Sequence, residues 1–370
     1  MKNEFFGAVW TLVGIVIGAG IFGLPYVFYK AGVYTGIAVV FLAFVVMTLI
    51  TLYLGEICLR TRGFHQLTGL AEKYLGEKGK WFMFAANVLS IYGALAAYII
   101  GAGLALNSIF GFSEVLFSIL FFVFVAPFVY FAIGIMEGFE SIFTPLKIII
   151  VLVLSFVLLK FVDFGNITGF NFYNIMLPYG VAIFAFAGIS AVPEMNEELK
   201  NKKYMFSAII FGMAISLVVN LLFAFATVGA VGSVTEVATV SLSKFGAFSN
   251  ISTNLFAFFA LATAFVALGF ALKENFTLDL RIPNTPSWGL AVFVPLLIAF
   301  SGLGFIKLLD LAGAVAVGFI LVMILMMHSK AKKMGNRKPE YSLGDYFILK
   351  LILFFVLIAG ILYSIFVGVS

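Results

Sequence analysis

With 370 residues, 63% of them hydrophobic and only 11% charged, the chain does not have the composition of a soluble globular domain. Its single cysteine, Cys58, excludes an intramolecular disulfide framework and any multi-cysteine metal site. Two histidines, His65 and His328, are too few for a zinc or haem centre, so no cofactor or metal is expected. The net charge of +5 falls in short loops between apolar segments, which points to membrane orientation rather than a nucleic-acid partner.

Apolar runs of spanning length recur from end to end, and the expected fold is an all-α integral membrane protein of eleven spans. Helix 1 is predicted over about Phe5–Lys30, with a break at Gly18–Gly23. It runs past signal-peptide length, so it reads as a retained span. Helix 2 covers about Val33–Leu59. A polar loop with Arg60, Arg62, Lys73, Lys78 and Lys80 leads to helix 3 at about Trp81–Phe110. Helix 4 spans about Val115–Ile135 and helix 5 about Ile142–Leu159. Helix 6, about Asn174–Leu199, breaks near Phe184–Ser190, and helix 7 follows at about Tyr204–Val231. The stretch Val234–Phe248 is either a plain connector or a surface helix acting as a lid. Helices 8, 9, 10 and 11 lie at about Ile251–Leu272, Trp288–Leu303, Lys307–His328 and Gly344–Val369. The most basic loop, Lys330 to Lys338, precedes the last.

Eleven spans put the termini on opposite sides. An inside amino terminus makes Lys2, Lys200, Lys202, Lys203, Lys273, Arg281, the 330–338 cluster and Lys350 cytoplasmic. Only Lys30, Lys160, Lys244 and Lys307 then fall outside, so positive charge favours a cytoplasmic amino terminus and an extracellular carboxyl terminus.

One short stretch occurs twice in corresponding places. Residues 20–25 read Gly-Ile-Phe-Gly-Leu-Pro and residues 188–193 read Gly-Ile-Ser-Ala-Val-Pro, both inside apolar spans. Helix-breaking residues are tolerated in hydrocarbon only where the freed backbone groups face protein or a cavity. Paired interruptions in two halves are a pointer to the substrate site of a secondary transporter. The two copies enter the membrane from opposite faces, which predicts a single domain over 1–370. It is built from inverted repeats over 5–160 and 173–328, with an appended helix at 344–369.

Each candidate residue also has a plainer reading. Gly18 to Gly23 formally satisfies G-x-G-x-x-G, but a long apolar helix rather than a strand precedes it, so dinucleotide binding is rejected. Gly14 and Gly18 form a small-xxx-small pair suited to helix packing. The functional reading is an unwound segment within Gly18 to Gly23 whose amides and half-helix amino-terminal dipole hold a substrate carboxylate. Carbonyls at the second break would then take a substrate ammonium. Phe22, Phe184 and Phe186 flank the breaks and can cover a substrate, although 46 phenylalanines make such neighbours common. Lys147 lies within a span, where lysines are costly and face the bundle interior. It is either a proton carrier or a lysine snorkelling to the cytoplasmic surface. Glu194 faces a cytoplasmic vestibule or simply ends its helix, and Glu56 is equally ambiguous. Thr263 lines a cavity or bonds within its helix. A membrane enzyme or channel would need clustered acid, base or metal groups, or a polar pore stripe, and the sequence offers none.

Five segments carry a family resemblance. They are V-G-I-V-I-G-A-G-I-F-G-L-P in helix 1, L-A-E-K-Y-L-G-E-K-G-K-W before helix 3 and A-A-Y-I-I-G-A-G within it, L-K-I-I-I-V-L-V-L in helix 5, and A-L-A-T-A-F-V-A-L-G in helix 8. In this order they resemble the hydroxy and aromatic amino acid permeases of the amino acid–polyamine–cation superfamily. The resemblance implies a leucine-transporter-like core of five plus five inverted helices with broken helices 1 and 6, an eleventh helix, and proton-coupled amino acid uptake across the cell membrane. The substrate site would include Gly18, Ala19, Gly20, Ile21, Phe22, Phe184, Ala185, Phe186 and Gly188. Lys147 matches the family's helix 5 lysine, with Thr263 as its partner. The Pro193-Glu194 step is closer to the amino acid and auxin permease group, so the substrate class is set as neutral or aromatic amino acids. Sodium coupling and amino acid exchange are the alternatives.

Overall fold

The computed structural model describes residues 2–131 and 136–368, with side chains over 4–131 and 144–368. Among the described residues it contains helices, turns and loops and no strand. The first span is two helices, α1 (Lys2–Val16) and α2 (Gly20–Ala31), bent by 54° at the break. Helix α3 (Val33–Leu59), α4 (Leu67–Phe110), α5 (Glu114–Phe131) and α6 (Met136–Leu159) follow. The sixth predicted span is again two pieces, α7 (Tyr179–Ala185) and α8 (Ala191–Glu198). Then come α9 (Met205–Val231), the single turn α10 (Ala238–Ser241), α11 (Ala247–Asp279) and α12 (Asn284–Ala299). The last long segment but one is α13 (Phe305–Asp310), a π-helical stretch Leu311–Val317 and α14 (Gly318–Met334), and α15 (Phe347–Phe366) closes the chain.

Among the described residues seven helices are long and apolar enough to cross a membrane, and the bent pair adds an eighth. The remaining predicted segments are α6 and α12, apolar but shorter over their described length, and the interrupted pair α7–α8. Residues 132–135, at the end of predicted helix 4, lie outside the described residues.

Helix α4 forms the centre, packing against α5, α11, α12, α13, α14 and the π-helical stretch. Its small residues make this close approach possible. A Cβ added to Gly93 would sit 2.9 Å from the Cβ of Ala312, and one on Gly101 would sit 2.9 Å from the Phe305 ring. The outer faces of α5 and α15 present Ile119, Phe124, Ile352 and Phe355 outward, the reverse of a water-soluble surface.

Four sequence expectations shift. Residues 67–80, read as a polar loop, are helical. Leu67, Leu70, Ala71 and Tyr74 are buried at i, i+3, i+4 and i+7, an amphipathic stripe whose charged face hid it. Gly76, at φ 80°, bends this segment into the rest of α4. The first break occupies residues 17–19, so Gly20–Gly23 open α2 instead of lying in the gap. The sixth span starts at Tyr179, with Asn174 in a separate 3-10 turn, and its break covers 186–190. Within 234–248, α10 and a following 3-10 turn pack inward, with Val237, Ala238 and Leu242 buried against the bundle.

The candidate substrate site

The two breaks meet. A Cβ added to Gly20 would lie 2.6 Å from the Cα of Ala185 and 2.9 Å from its Cβ, so only glycine lets the start of α2 touch the end of α7. The sequence explains the break chemistry. Among the described residues, Gly18 donates only to Val16 two residues back, at 3.0 Å, and the amides of Ala19, Gly20 and Ile21 have no backbone acceptor. They are the orphan donors of a helix start. Pro25 lies inside α2 and supplies no amide to the carbonyl of Ile21, four residues back. Pro193 instead occupies the first turn of α8, where its missing amide costs nothing.

At the second break the chain turns tightly. Phe186 donates to Ile183 at 3.2 Å, Ala187 to Phe184 at 3.1 Å and Gly188 to Phe186 at 2.7 Å. The Ala185 carbonyl accepts from Nδ2 of Asn220, on α9, at 3.4 Å. The Ala185 and Phe186 carbonyls each accept one such bond and keep a lone pair, whereas the Phe184 carbonyl takes the amides of both Phe186 and Ala187. The positive end of α2 and the negative end of α7 therefore stand side by side in a buried, low-dielectric setting. That is the pair of poles a zwitterion requires.

The predicted site residues separate into those at this junction and those away from it. Gly18, Ala19, Gly20 and Ile21 line the first break, and Phe184, Ala185 and Phe186 the second. Phe22 is buried edge-to-face on Phe256 of α11 with centroids 5.9 Å apart, and Phe186 likewise on Phe44 of α3 at 6.1 Å. Phe184 is half-buried and leans on the π-helical stretch, because a Cβ on Gly313 would fall 2.8 Å from its amide nitrogen. Gly188 faces elsewhere. Its missing side chain makes room for Leu12 and Val16 of α1, at 2.6 Å and 2.5 Å from a built Cβ.

Lys147 lies eleven residues into α6, roughly 16 Å along its axis from the helix start. One turn earlier, Thr144 packs on Gly14 of α1, its Oγ1 2.8 Å from a Cβ built there. Gly18 lies one turn after Gly14 on its own segment, and Lys147 one turn after Thr144 on α6. The Thr263 hydroxyl donates to the Ala260 carbonyl at 3.0 Å within α11. Glu194 is exposed on α8.

Two junction residues escaped the sequence reading. Tyr98 of α4 is buried, and its hydroxyl stands 3.9 Å from a Cβ built on Gly18. Its signal was a tyrosine within the small-residue run A-A-Y-I-I-G-A-G. Asn220 is buried, and its Oδ1 has no hydrogen-bond partner. It is an amide inside an otherwise apolar span, where polar side chains have a reason to be.

Glu56, ambiguous in the sequence, is the hub of a clasp away from the site. Fully buried near the end of α3, it accepts from Arg60 at 2.8 Å, His328 at 3.0 Å, Ser342 at 3.0 Å and the Leu343 amide at 2.7 Å. The connection 335–346 is thereby strapped across that end of the bundle. Tyr341 donates to the Leu52 carbonyl at 2.6 Å and Arg337 to the Leu59 carbonyl at 2.7 Å. In the same connection, the hydrogen bond from Lys350 holds the Asp345 carboxyl below the usual range, aided by Ser329.

The comparisons with known proteins agree with one another. The chain is 25% identical over 97% of its length to Tyrosine-specific transport system 1 of Haemophilus influenzae, covering 95% of that protein. It is 24% identical over 94% of its length to Glutamine transporter 2 of Aliivibrio fischeri, again covering 94% of the relative. Among solved structures, MhsT in complex with L-phenylalanine matches with a TM-score of 0.65 at 18% identity, over 97% of each chain. Mhp1, a nucleobase-cation-symport-1 family transporter with bromovinylhydantoin bound, matches at 0.67 and 14% identity over 98% of this chain and 91% of that one. The fold is thus that of the leucine-transporter-like carriers. The tryptophan/tyrosine permease family matches residues 1–364, and the chain belongs to that family of multi-pass membrane amino acid transporters.

Proposed function

We propose that the chain is a proton-coupled symporter of neutral or aromatic amino acids, working by alternating access around the junction of the two helix breaks. The observation that carries this reading is the contact of Gly20 with Ala185, which puts unpaired amides beside the singly bonded Ala185 and Phe186 carbonyls in the interior. In this reading the substrate carboxylate takes the amides of Ala19, Gly20 and Ile21 and the Tyr98 hydroxyl. The ammonium takes carbonyls at Phe184 to Phe186, and the side chain lies among Phe22, Phe44, Phe184 and Phe256. The names of the relatives, a tyrosine transport system and a glutamine transporter, and the phenylalanine complex of MhsT support an uncharged substrate with a side chain of that size.

Lys147 is the proposed proton carrier, an amine one turn along α6 from its contact with α1. Thr263 is its proposed partner, since its hydroxyl donates within α11 and keeps lone pairs for an ammonium. Glu194, exposed on α8, would meet protons on the cytoplasmic side. The inverted repeats over 5–160 and 173–328, a cytoplasmic amino terminus and an extracellular carboxyl terminus belong to the same proposal.

The test is uptake of a panel of labelled amino acids into proteoliposomes under imposed proton or sodium gradients, for wild type and Lys147→Ala. Accumulation driven by inward proton flow and lost in the variant is the expected result. Sodium-driven accumulation, or uptake only against preloaded amino acid, would overturn proton symport.

A further inference from the structure

Helix α13 ends in a carboxylate that the proposed site does not use. Asp310 has no solvent exposure. Its Oδ1 accepts a hydrogen bond from the Ser364 hydroxyl of α15 at 2.9 Å, and its Oδ2 has no hydrogen-bond partner. An ionised carboxylate held in an apolar interior by a single neutral donor is strongly disfavoured, and such groups neutralise by taking a proton.

The surroundings fix what that proton would sense. Helix α7 lies directly on the carboxylate: a Cβ on Gly180 would overlap Oδ1 and lie 2.7 Å from the main-chain oxygen of Asp310. A Cβ on Gly313 would overlap the Gly180 carbonyl and lie 2.8 Å from the Phe184 amide, so the contact continues along α7. Five residues beyond Gly180 is Ala185, which touches Gly20. Immediately after Asp310 the backbone switches to the π-helical stretch Leu311–Val317, a local deformation that recurs at functional sites.

The titratable groups around it are few. Lys307, one turn back on α13, donates to the Ser364 carbonyl at 3.1 Å rather than to the carboxylate. Tyr179 of α7 packs on Gly360 of α15, and Tyr363 neighbours Ser364. Helix α2 meets α13 through Gly23 against Ile306 and Leu309. Helix α4 meets the same segment through Gly93 and Gly101 against Ala312 and Phe305, all neutral.

We propose that Asp310 is a second proton-binding group of the transport cycle, neutral while α7 covers it and ionised when α7 moves off helix α13. The proton comes from water as the carboxylate is exposed and returns to water on release; no other bond changes. Because α7 carries the second break at its end, the charge state of Asp310 sets how readily that half of the site opens. The inference rests on the proton-coupled reading above.

The test uses Asp310→Asn, which mimics the neutral acid in size and hydrogen bonding, in the purified full-length protein. Infrared difference spectra on changing pH should show a protonated-carboxyl stretch in wild type that is absent in the variant. In proteoliposomes the variant should keep amino acid counterflow within about twofold of wild type and lose accumulation driven by an inward proton gradient. A spectrum unchanged by the substitution, or an Asp310→Asn protein that concentrates substrate as wild type does, would overturn the proposal. Should wild type prove indifferent to proton gradients, symport fails, while the infrared band still decides whether Asp310 takes up a proton. Ser364→Ala provides a second variant. Removing the hydroxyl that donates to Oδ1 should shift the frequency of the carboxyl band, and an unmoved band would count against the assignment.

Discussion

Replacing Glu56 by alanine should unclasp the 335–346 connection. In the native protein the carboxylate, with no exposure, holds the Ser342 hydroxyl at 3.0 Å and the Leu343 amide at 2.7 Å from the connection itself. Hydrogen bonds to a charged group contribute about 1.5–3 kcal/mol each, so these two supply at least about 3 kcal/mol against local opening. At about 1.4 kcal/mol per decade, the open population should rise about 100-fold or more. Trypsin reads this directly, because Lys333 is exposed and Arg337 is partly so, and cleavage tracks the open population when closing is fast. The full loss exceeds the strap's share. Arg60 and His328 would be left without their buried acceptor, and breaking such a pair costs about 3–5 kcal/mol. Glu56→Gln, which keeps the volume and one acceptor, should fall between wild type and alanine. A cleavage rate for Glu56→Ala within about threefold of wild type would refute the view that the carboxylate holds the strap.

Gly20→Val should abolish uptake while Gly188→Ala, which meets movable side-chain methyls of Leu12 and Val16, retains part of it; equal uptake by the two would contradict the junction geometry. Tyr98→Phe should weaken amino acid binding about 10-fold, in line with one hydrogen bond to a charged group, measured by scintillation proximity; unchanged affinity would remove the hydroxyl from the site. The Asp345–Lys350 contact should stiffen the start of α15 at neutral pH. Since the folded Asp345 sits below its ordinary value, this contribution is complete above the ordinary carboxylate range and disappears as pH falls through the lowered folded value. Hydrogen exchange of residues 346–350 as a function of pH should show protection falling only at the acid end. Protection lost near neutrality would point to another group.

The spans and the two interruptions were legible because hydropathy and Gly–Pro chemistry act locally. Apolar length finds α3, α9 and α15 within a few residues, and the repeated Gly-Ile frame marks both breaks. The helix at 67–75 was missed for an equally local reason. Its charges mask its period, although Leu67, Leu70, Ala71 and Tyr74 carry the stripe. Placing the break at residues 17–19 needs the observation that α2 can start on Gly20, which depends on Ala185 from a distant segment filling the space. Tyr98, Asn220, Asp310 and the Glu56 clasp were not assignable for the same reason. Each acquires its surroundings from segments roughly 35 to 290 positions away in the chain, and no pattern in the sequence records such distances.

The Gly20–Ala185 contact also channels how this protein can diversify. A side chain at position 20 has nowhere to go, because the main chain of Ala185 and its methyl fill the space. In the proposed reading, mutation can do little to the main-chain groups facing the part common to every amino acid, and Tyr98 is the exception. Phe22 with Phe256 and Phe44 with Phe186 form two separate edge-to-face pairs, each ring replaceable singly at the modest penalty of a ring pair. In the proposed binding mode, selectivity drifts along the rings of the side-chain pocket while the backbone grip stays fixed. Paralogues with new substrates would be expected to differ first at positions 22, 44, 184 and 256, which line the proposed side-chain pocket.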